Sequence, residues 1–220
     1  MRVVVAGAHG QVARRLGRLL SARGDTVVGI VRDPGHVDDL RADGVEAAVL
    51  DLEQAGVDEV ADVVRGADAV VFAAGAGPGS GIARKDTVDR GAAVLLADAA
   101  ERAGVRTYLL VSSMGVDAVA GGAAPAGVDE VFTAYLRAKL AAEEAVLARP
   151  GLAVTVVRPG GLTDDPGTGR VALAPSVSRG NIPRDDVAAV LAGFLDAPRD
   201  GVVLELVSGS TPVAAAVSSA

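Results

Sequence analysis

The chain opens on Val3-Val4-Val5-Ala6-Gly7-Ala8-His9-Gly10-Gln11-Val12-Ala13-Arg14-Arg15-Leu16, which reads as a buried strand, a glycine turn and a helix. Two glycines three apart, followed three further on by the small Ala13, let a helix start very close to the strand it leaves. Gly7 permits the tight turn, and Gly10 lets the backbone approach a ligand. The free N–H groups of such a helix start, aided by the helix dipole, hold a phosphate. A nucleotide cofactor is therefore the first expectation, and the flanking strand and amphipathic helix strengthen it.

The rest of the chain repeats this rhythm. Strands are expected at Arg2–Ala6, Thr26–Val31, Glu46–Leu50, Ala69–Ala73, Tyr108–Val111, Ala153–Val157 and Val202–Leu206. These are continuous Val/Ile/Leu-rich runs, as expected for strands covered on both faces. Helices are expected at Gln11–Arg23, His36–Asp43, Gln54–Val64, Thr87–Ala103, Asp129–Ala148 and Arg184–Leu195, several ending at a glycine: Gly24, Gly44, Gly66 and Gly104. The fold class that follows is α/β, a doubly wound parallel Rossmann sheet with helices on both faces and ligand at the carboxyl ends of its strands. One domain over residues 1–220 is expected. Three glycine-rich stretches, 75–85, 114–128 and 160–183, leave the sheet at the same edge and read as the walls of a pocket.

Composition limits the function classes. Of 220 residues, 50% are hydrophobic, enough for one well-cored domain. There is no cysteine, so thiol chemistry is excluded, and with only His9 and His36 no metal site is expected. The net charge of -7, three phenylalanines, two tyrosines and no tryptophan argue against nucleic-acid binding. No apolar run approaches the roughly 20 residues of a membrane helix. No membrane partner is expected, and a soluble, cytoplasmic protein is the default.

Two places carry the chemistry. The second strand ends in Val31-Arg32-Asp33. An acidic residue at that strand end selects NAD, whereas an arginine can hold a 2′-phosphate, so Arg32 favours NADP(H) over NAD(H). Tyr135 and Lys139 lie four apart and share one helix face. The chain holds two tyrosines and two lysines among 21 Lys and Arg residues, so this spacing is not the product of abundance. A nearby ammonium, with the positive nicotinamide ring of an oxidised cofactor, is expected to lower the phenol pKa, letting Tyr135 protonate a carbonyl oxygen as hydride reaches carbon. Ser113, ahead of Ser112 toward the pocket edge, could orient the same oxygen. The acidic pairs Asp38-Asp39, Glu143-Glu144, Asp164-Asp165 and Asp185-Asp186 read as solvated faces and helix starts. Arg84 and Lys85, at the start of a helix beside the glycine loop, could meet substrate or phosphate, but solvation is the favoured reading.

Taken together, these residues resemble the short-chain dehydrogenase/reductase superfamily, in its atypical NAD(P)H-binding, NmrA-like branch. The resemblance rests on the Gly7–Ala13 turn, Val31-Arg32-Asp33, Asp51-Leu52-Glu53, Phe72–Gly77, Val111-Ser112-Ser113, Tyr135 with Lys139, Arg158–Thr163 and Ile182–Ala188. It implies strand order 3-2-1-4-5-6-7. It also implies that Gly7, Ala8, His9, Gly10, Gln11 and Val12 cradle the pyrophosphate, and that Asp51 and Leu52 border adenine. Ala73, Ala74 and Gly75 would meet the adenosine ribose, and Lys139 the nicotinamide ribose. Pro159, Gly160, Gly161 and Leu162 would contact the carboxamide end. One departure stands out: the single asparagine, Asn181, lies far from the helix after the fourth strand, where such reductases often carry a relay asparagine. The leading expectation is an NADPH-dependent reductase of a small carbonyl, quinone or flavin-like substrate. The alternative is a non-catalytic NAD(P)H-binding redox sensor acting through a protein partner; a homodimer fits either.

Overall fold

A computed structural model describes every residue except 78 and 126. The chain runs β1 (Arg2–Ala6), α1 (Gln11–Ala22), β2 (Thr26–Val31), α2 (Val37–Ala42), β3 (Glu46–Val49), α3 (Val57–Val64) and β4 (Ala69–Phe72). It continues with α4 (Ile82–Arg84), a π-helical turn (Lys85–Gly91), α5 (Ala92–Ala103), β5 (Thr107–Val111), a 3₁₀ segment (Val116–Gly122), α6 (Glu130–Leu147) and β6 (Ala153–Pro159). Last come β7 (Gly161–Thr163), β8 (Arg170–Ala174), β9 (Asn181–Pro183), α7 (Arg184–Asp196), β10 (Val202–Ser208), β11 (Thr211–Pro212) and α8 (Val213–Ser219).

The main sheet has the order β11-β8-β10-β6-β5-β4-β1-β2-β3. Its seven parallel strands, β3-β2-β1-β4-β5-β6-β10, reproduce the expected 3-2-1-4-5-6-7. The sheet does not stop there: β8 pairs antiparallel with β10 in register Leu206↔Leu173, and β11 pairs antiparallel with β8. The stretch 160–183, expected as a pocket loop, therefore holds three strands, and β7 and β9 form a small parallel pair of their own. They had no sequence signal because each is short, β7 and β9 carry Gly, Asn or Pro, and β8 is set between glycine- and proline-rich stretches. The expected loops 75–85 and 114–128 also carry local structure at 82–85 and 116–122, and each contains one residue outside those described.

Strand pleat explains the continuous apolar runs. Val3 and Val5 of β1 point to one face, into a core with Leu16 and Leu20 of α1 and Leu191 and Phe194 of α7. Val4 and Ala6 point to the other face, against Val60 of α3, Leu96 of α5 and Val146 of α6. Both faces are closed, so alternation is absent. Gly24, Gly44, Gly66 and Gly104 all take positive φ after their helices, as expected of glycine stops. Among the described residues no helix is long and apolar enough to cross a membrane.

Candidate functional site

The turn after β1 is built by close approach. Gly7 has φ +76°, and a Cβ there would lie 2.5 Å from Ala74 Cα, at the end of β4. Only glycine meets both conditions. Gly10 begins α1, and no side chain caps that helix end. The same tightness recurs after β6, where a Cβ on Gly160 would fall 2.2 Å from Gly180 O.

These turns floor a trough along the carboxyl ends of the strands, across β1, which lies between β2 and β4. A cavity of about 510 Å³ lies on the β2 side, lined by Gly7, His9, Gly10, Arg32, Asp51, Leu52, Glu53 and Ala73–Gly77 among others. A second, of about 1140 Å³, shares Gly10 and Ala73–Gly77 and reaches Ser113, Tyr135, Lys139 and Pro159–Leu162. Gln11 and Val12 line the second cavity. The trough thus gathers the predicted cofactor residues from six places in the sequence, with one exception. Ala8 lines neither cavity; its amide donates to Ile30 O at 3.2 Å, which ties the turn to β2 and leaves no donor for a phosphate.

On the β2 side, Arg32 is more than half exposed and sits 3.4 Å from Glu53. Glu53 also accepts from Arg84 at 2.5 Å and from Thr87 Oγ1 at 2.7 Å. These bonds hold its carboxyl below the usual range, the Arg84 guanidinium contributing most. Arg84 is therefore an ion-paired wall of the cavity, not a solvated residue. The two histidines stack on each other, centroids 3.5 Å apart, and His9 Nε2 meets Asp39 at 2.7 Å.

On the other side, α6 presents Tyr135, Lys139 and Glu143 at successive turns of one face. Lys139 Nζ is buried and donates to Ala74 O at 3.2 Å and Val111 O at 3.1 Å. It also lies 3.3 Å from Asp89 Oδ1, without hydrogen-bond geometry; that oxygen has no other partner among the described residues. Burial lowers the Lys139 pKa, opposed by the Asp89 and Glu143 carboxylates. The nicotinamide-ribose role expected of Lys139 would have to draw on an ammonium already facing three protein oxygens.

The phenol departs from expectation. Burial pushes the Tyr135 pKa up, the Ser113 hydroxyl pulls it down, and Asp89 adds to the rise. The expected lowering by Lys139 is absent because that ammonium lies over the ring, 5.9 Å from its centroid, and is paired with Asp89. Of the two serines, Ser112 is buried and donates to Glu143, itself clamped by Arg158 at 2.6 Å. That leaves Ser113 beside the phenol.

Sequence reasoning missed Asp89, and its favoured reading of Lys85 as solvated is corrected by the burial of that side chain. Both are buried in the π-helical turn after β4, four residues apart, and both line the larger cavity. A π-turn inside a helix often marks a functional site. Asp89 stands on the helix where an asparagine was sought and not found, so the search by residue type passed over it.

A family model described as NAD(P)H-binding matches residues 7–198. The chain is 34% identical over 219 residues to the Bacillus subtilis protein named Uncharacterized sugar epimerase YhfK, covering 99% of each. A solved structure from Bacillus halodurans, named for NAD-dependent epimerases and dehydratases, superposes with a TM-score of 0.89 at 33% identity, covering all of both chains. ChuY from Escherichia coli O157:H7, named an anaerobillin reductase, superposes with a TM-score of 0.78 at 26% identity over 94% of this chain and 97% of its own. The chain belongs to the NAD(P)H-binding family, with the architecture of an atypical short-chain dehydrogenase/reductase.

Proposed function

We propose that the protein is an NADPH-dependent reductase that passes hydride to a carbonyl, quinone or flavin-like acceptor. The observation that carries this reading is the position of Tyr135 and Ser113 in the same trough as the Gly7–Gly10 turn. The residues present fit a dinucleotide: a glycine cradle that any Cβ would fill, an uncapped helix start, and Arg32 at the end of β2 for a 2′-phosphate. The bound cofactor supplies a hydride. Gln11 and Val12 at the helix start would hold its phosphates against the Gly7–Gly10 turn, whose Gly10 amide itself donates to Gly7 O, and Pro159 to Leu162 would hold its carboxamide end.

The Tyr135 phenol donates its proton to the acceptor oxygen while the Ser113 hydroxyl holds that oxygen in place. The phenol is protonated at neutral pH with or without the upward shift, so burial keeps the acid form but weakens it as a donor, and the proton moves only as negative charge builds on the acceptor oxygen. The reverse reaction needs phenolate, which burial disfavours. Asp89 holds Lys139 beneath the ring and so fixes the face that α6 presents. The reductase named ChuY, similar in fold and 26% identical, supports this reading.

A second reading, a dinucleotide-binding sensor with little turnover, is favoured by one observation: the Lys139 ammonium is taken up by protein oxygens. Following NADPH oxidation across a panel of aldehydes, quinones and flavins separates the two. The reductase reading expects turnover with some acceptor, lost in Tyr135→Phe. Cofactor binding without turnover on the whole panel would favour the sensor.

A further inference from the structure

Both lysines of the chain face one tyrosine ring. Lys139 Nζ lies 5.9 Å from the Tyr135 centroid and Lys85 Nζ 5.6 Å. Their environments differ. Lys139 has the Asp89 carboxylate; Lys85 has one hydrogen bond, to Gly77 O at 2.8 Å, and no ion pair among the described residues. Yet Lys85 is only 8% exposed. An ammonium taken from water without a counter-charge is costly, and buried charges are ordinarily paired. One of its three donors is engaged, and it lines the larger cavity, not the β2-side one.

The rest of that cavity sets the ligand's other properties. Val131, Phe132 and Leu162 line it while remaining 42%, 46% and 40% exposed, so an apolar surface waits at its mouth. Its acidic groups are engaged: Asp89 with Lys139, and Asp129 with the Phe132 amide at 2.9 Å that begins α6. Of its other cations, Arg184 is paired with Asp164, while Arg179 is exposed and has no ion pair among the described residues. The balance left over for a ligand is positive.

We propose that Lys85 is an anion anchor of the acceptor site, and that the acceptor is a largely apolar molecule carrying a carboxylate. This rests on the reductase reading and narrows its substrate class. Lys85 receives the carboxylate, the mouth residues receive the apolar body, and Arg179 at the rim supports the same charge.

The test uses the full chain saturated with NADPH and two probes of one shape, naphthalene-2-carboxylate and naphthalene-2-carboxamide, titrated by calorimetry. Neither is reducible by hydride addition to a ketone or aldehyde, so binding is read without turnover. The carboxylate is expected to bind about tenfold or more tighter than the amide, as a charge-assisted contact should. Lys85→Met should abolish that preference, Lys85→Arg should keep most of it, and both should bind NADPH as the parent does. Equal affinity for the two probes, or binding of neither, overturns the proposal even if Lys85→Met does not fold. A preference that survives Lys85→Met overturns it as well. If Lys85→Met instead weakens NADPH, the residue serves the cofactor phosphates and the proposal is wrong. The reductase reading fails separately, by an absence of NADPH oxidation with every acceptor of the panel while the probes still bind.

Discussion

The Lys139 ammonium and the Asp89 carboxylate meet at 3.3 Å inside the protein, with side chains 5% and 0% exposed. Each makes the other tolerable there. Removing one partner leaves a buried uncompensated charge, which typically costs about 3–5 kcal/mol. Asp89→Ala and Lys139→Met are each expected to destabilise by that order in urea unfolding. The double variant should lose less than the sum, because neither charge is then left alone. Additive losses would mean the two groups are not coupled.

Gly7→Ala tests the cradle. The new Cβ would meet Ala74 Cα at 2.5 Å, and a positive φ would be forced on an L-residue. Neither neighbour is the end of a flexible side chain, so the turn itself must shift. Cofactor affinity is expected to fall by about tenfold or more, since small displacements of positioned groups are costly. Fluorescence titration with NADPH checks this.

The raised Tyr135 pKa makes a prediction about pH. A general acid works in its protonated form, so activity from this group is lost only as pH rises through its pKa. Burial places that point above the ordinary tyrosine value. Acceptor reduction should therefore show no alkaline fall attributable to Tyr135 up to about pH 9. Tyr135→Phe should lower turnover by about 10²–10⁴-fold at every pH in that range.

Glu53 couples the β2-side cavity to acid stability. Its folded pKa lies below the ordinary 4.5, through Arg84 first and then Thr87. A lowered carboxyl stabilises the fold above its unfolded pKa and loses that contribution as pH falls through the folded value. Glu53→Gln should thus be less stable than the parent at neutral pH, by about 1 kcal/mol for so partly exposed a cluster. The gap should close on acidification below the unfolded value. Thermal unfolding at a series of pH values checks this, and a constant gap would contradict it.

The parallel core was legible because period and punctuation agree there. β1 and β2 fall at the residues expected, since each is a buried apolar run ending at a turn. The antiparallel extension was not legible: β8 gains its identity from β10, distant in sequence, and β11 from β8, and neither carries a pattern of its own. The tail 213–219 is helical because Ala216 and Val217 bury against the α7 side of the core, a tertiary cause. Among the acidic pairs, adjacent residues on a helix do point apart, but that geometry also lets one of them turn inward. Glu143 clamps Arg158, and Asp186 accepts from the Thr168 and Gly169 amides. In the site, the glycine cradle and Tyr135 with Lys139 could be read from spacing alone. Asp89 could not, because that helix was searched for an asparagine; Lys85 could be singled out beside the glycine loop, but its burial could not.

On the proposed function, the trough across β1 grips a pyridine dinucleotide and Arg32 reads its 2′-phosphate. Calorimetric titration of the natively folded chain with NADPH and with NADH tests it most directly. One saturable site is expected, tighter for NADPH, with the difference collapsing in Arg32→Ala. No heat with either coenzyme would contradict the account at its root, and an equal loss for both in Arg32→Ala would contradict the role given to Arg32.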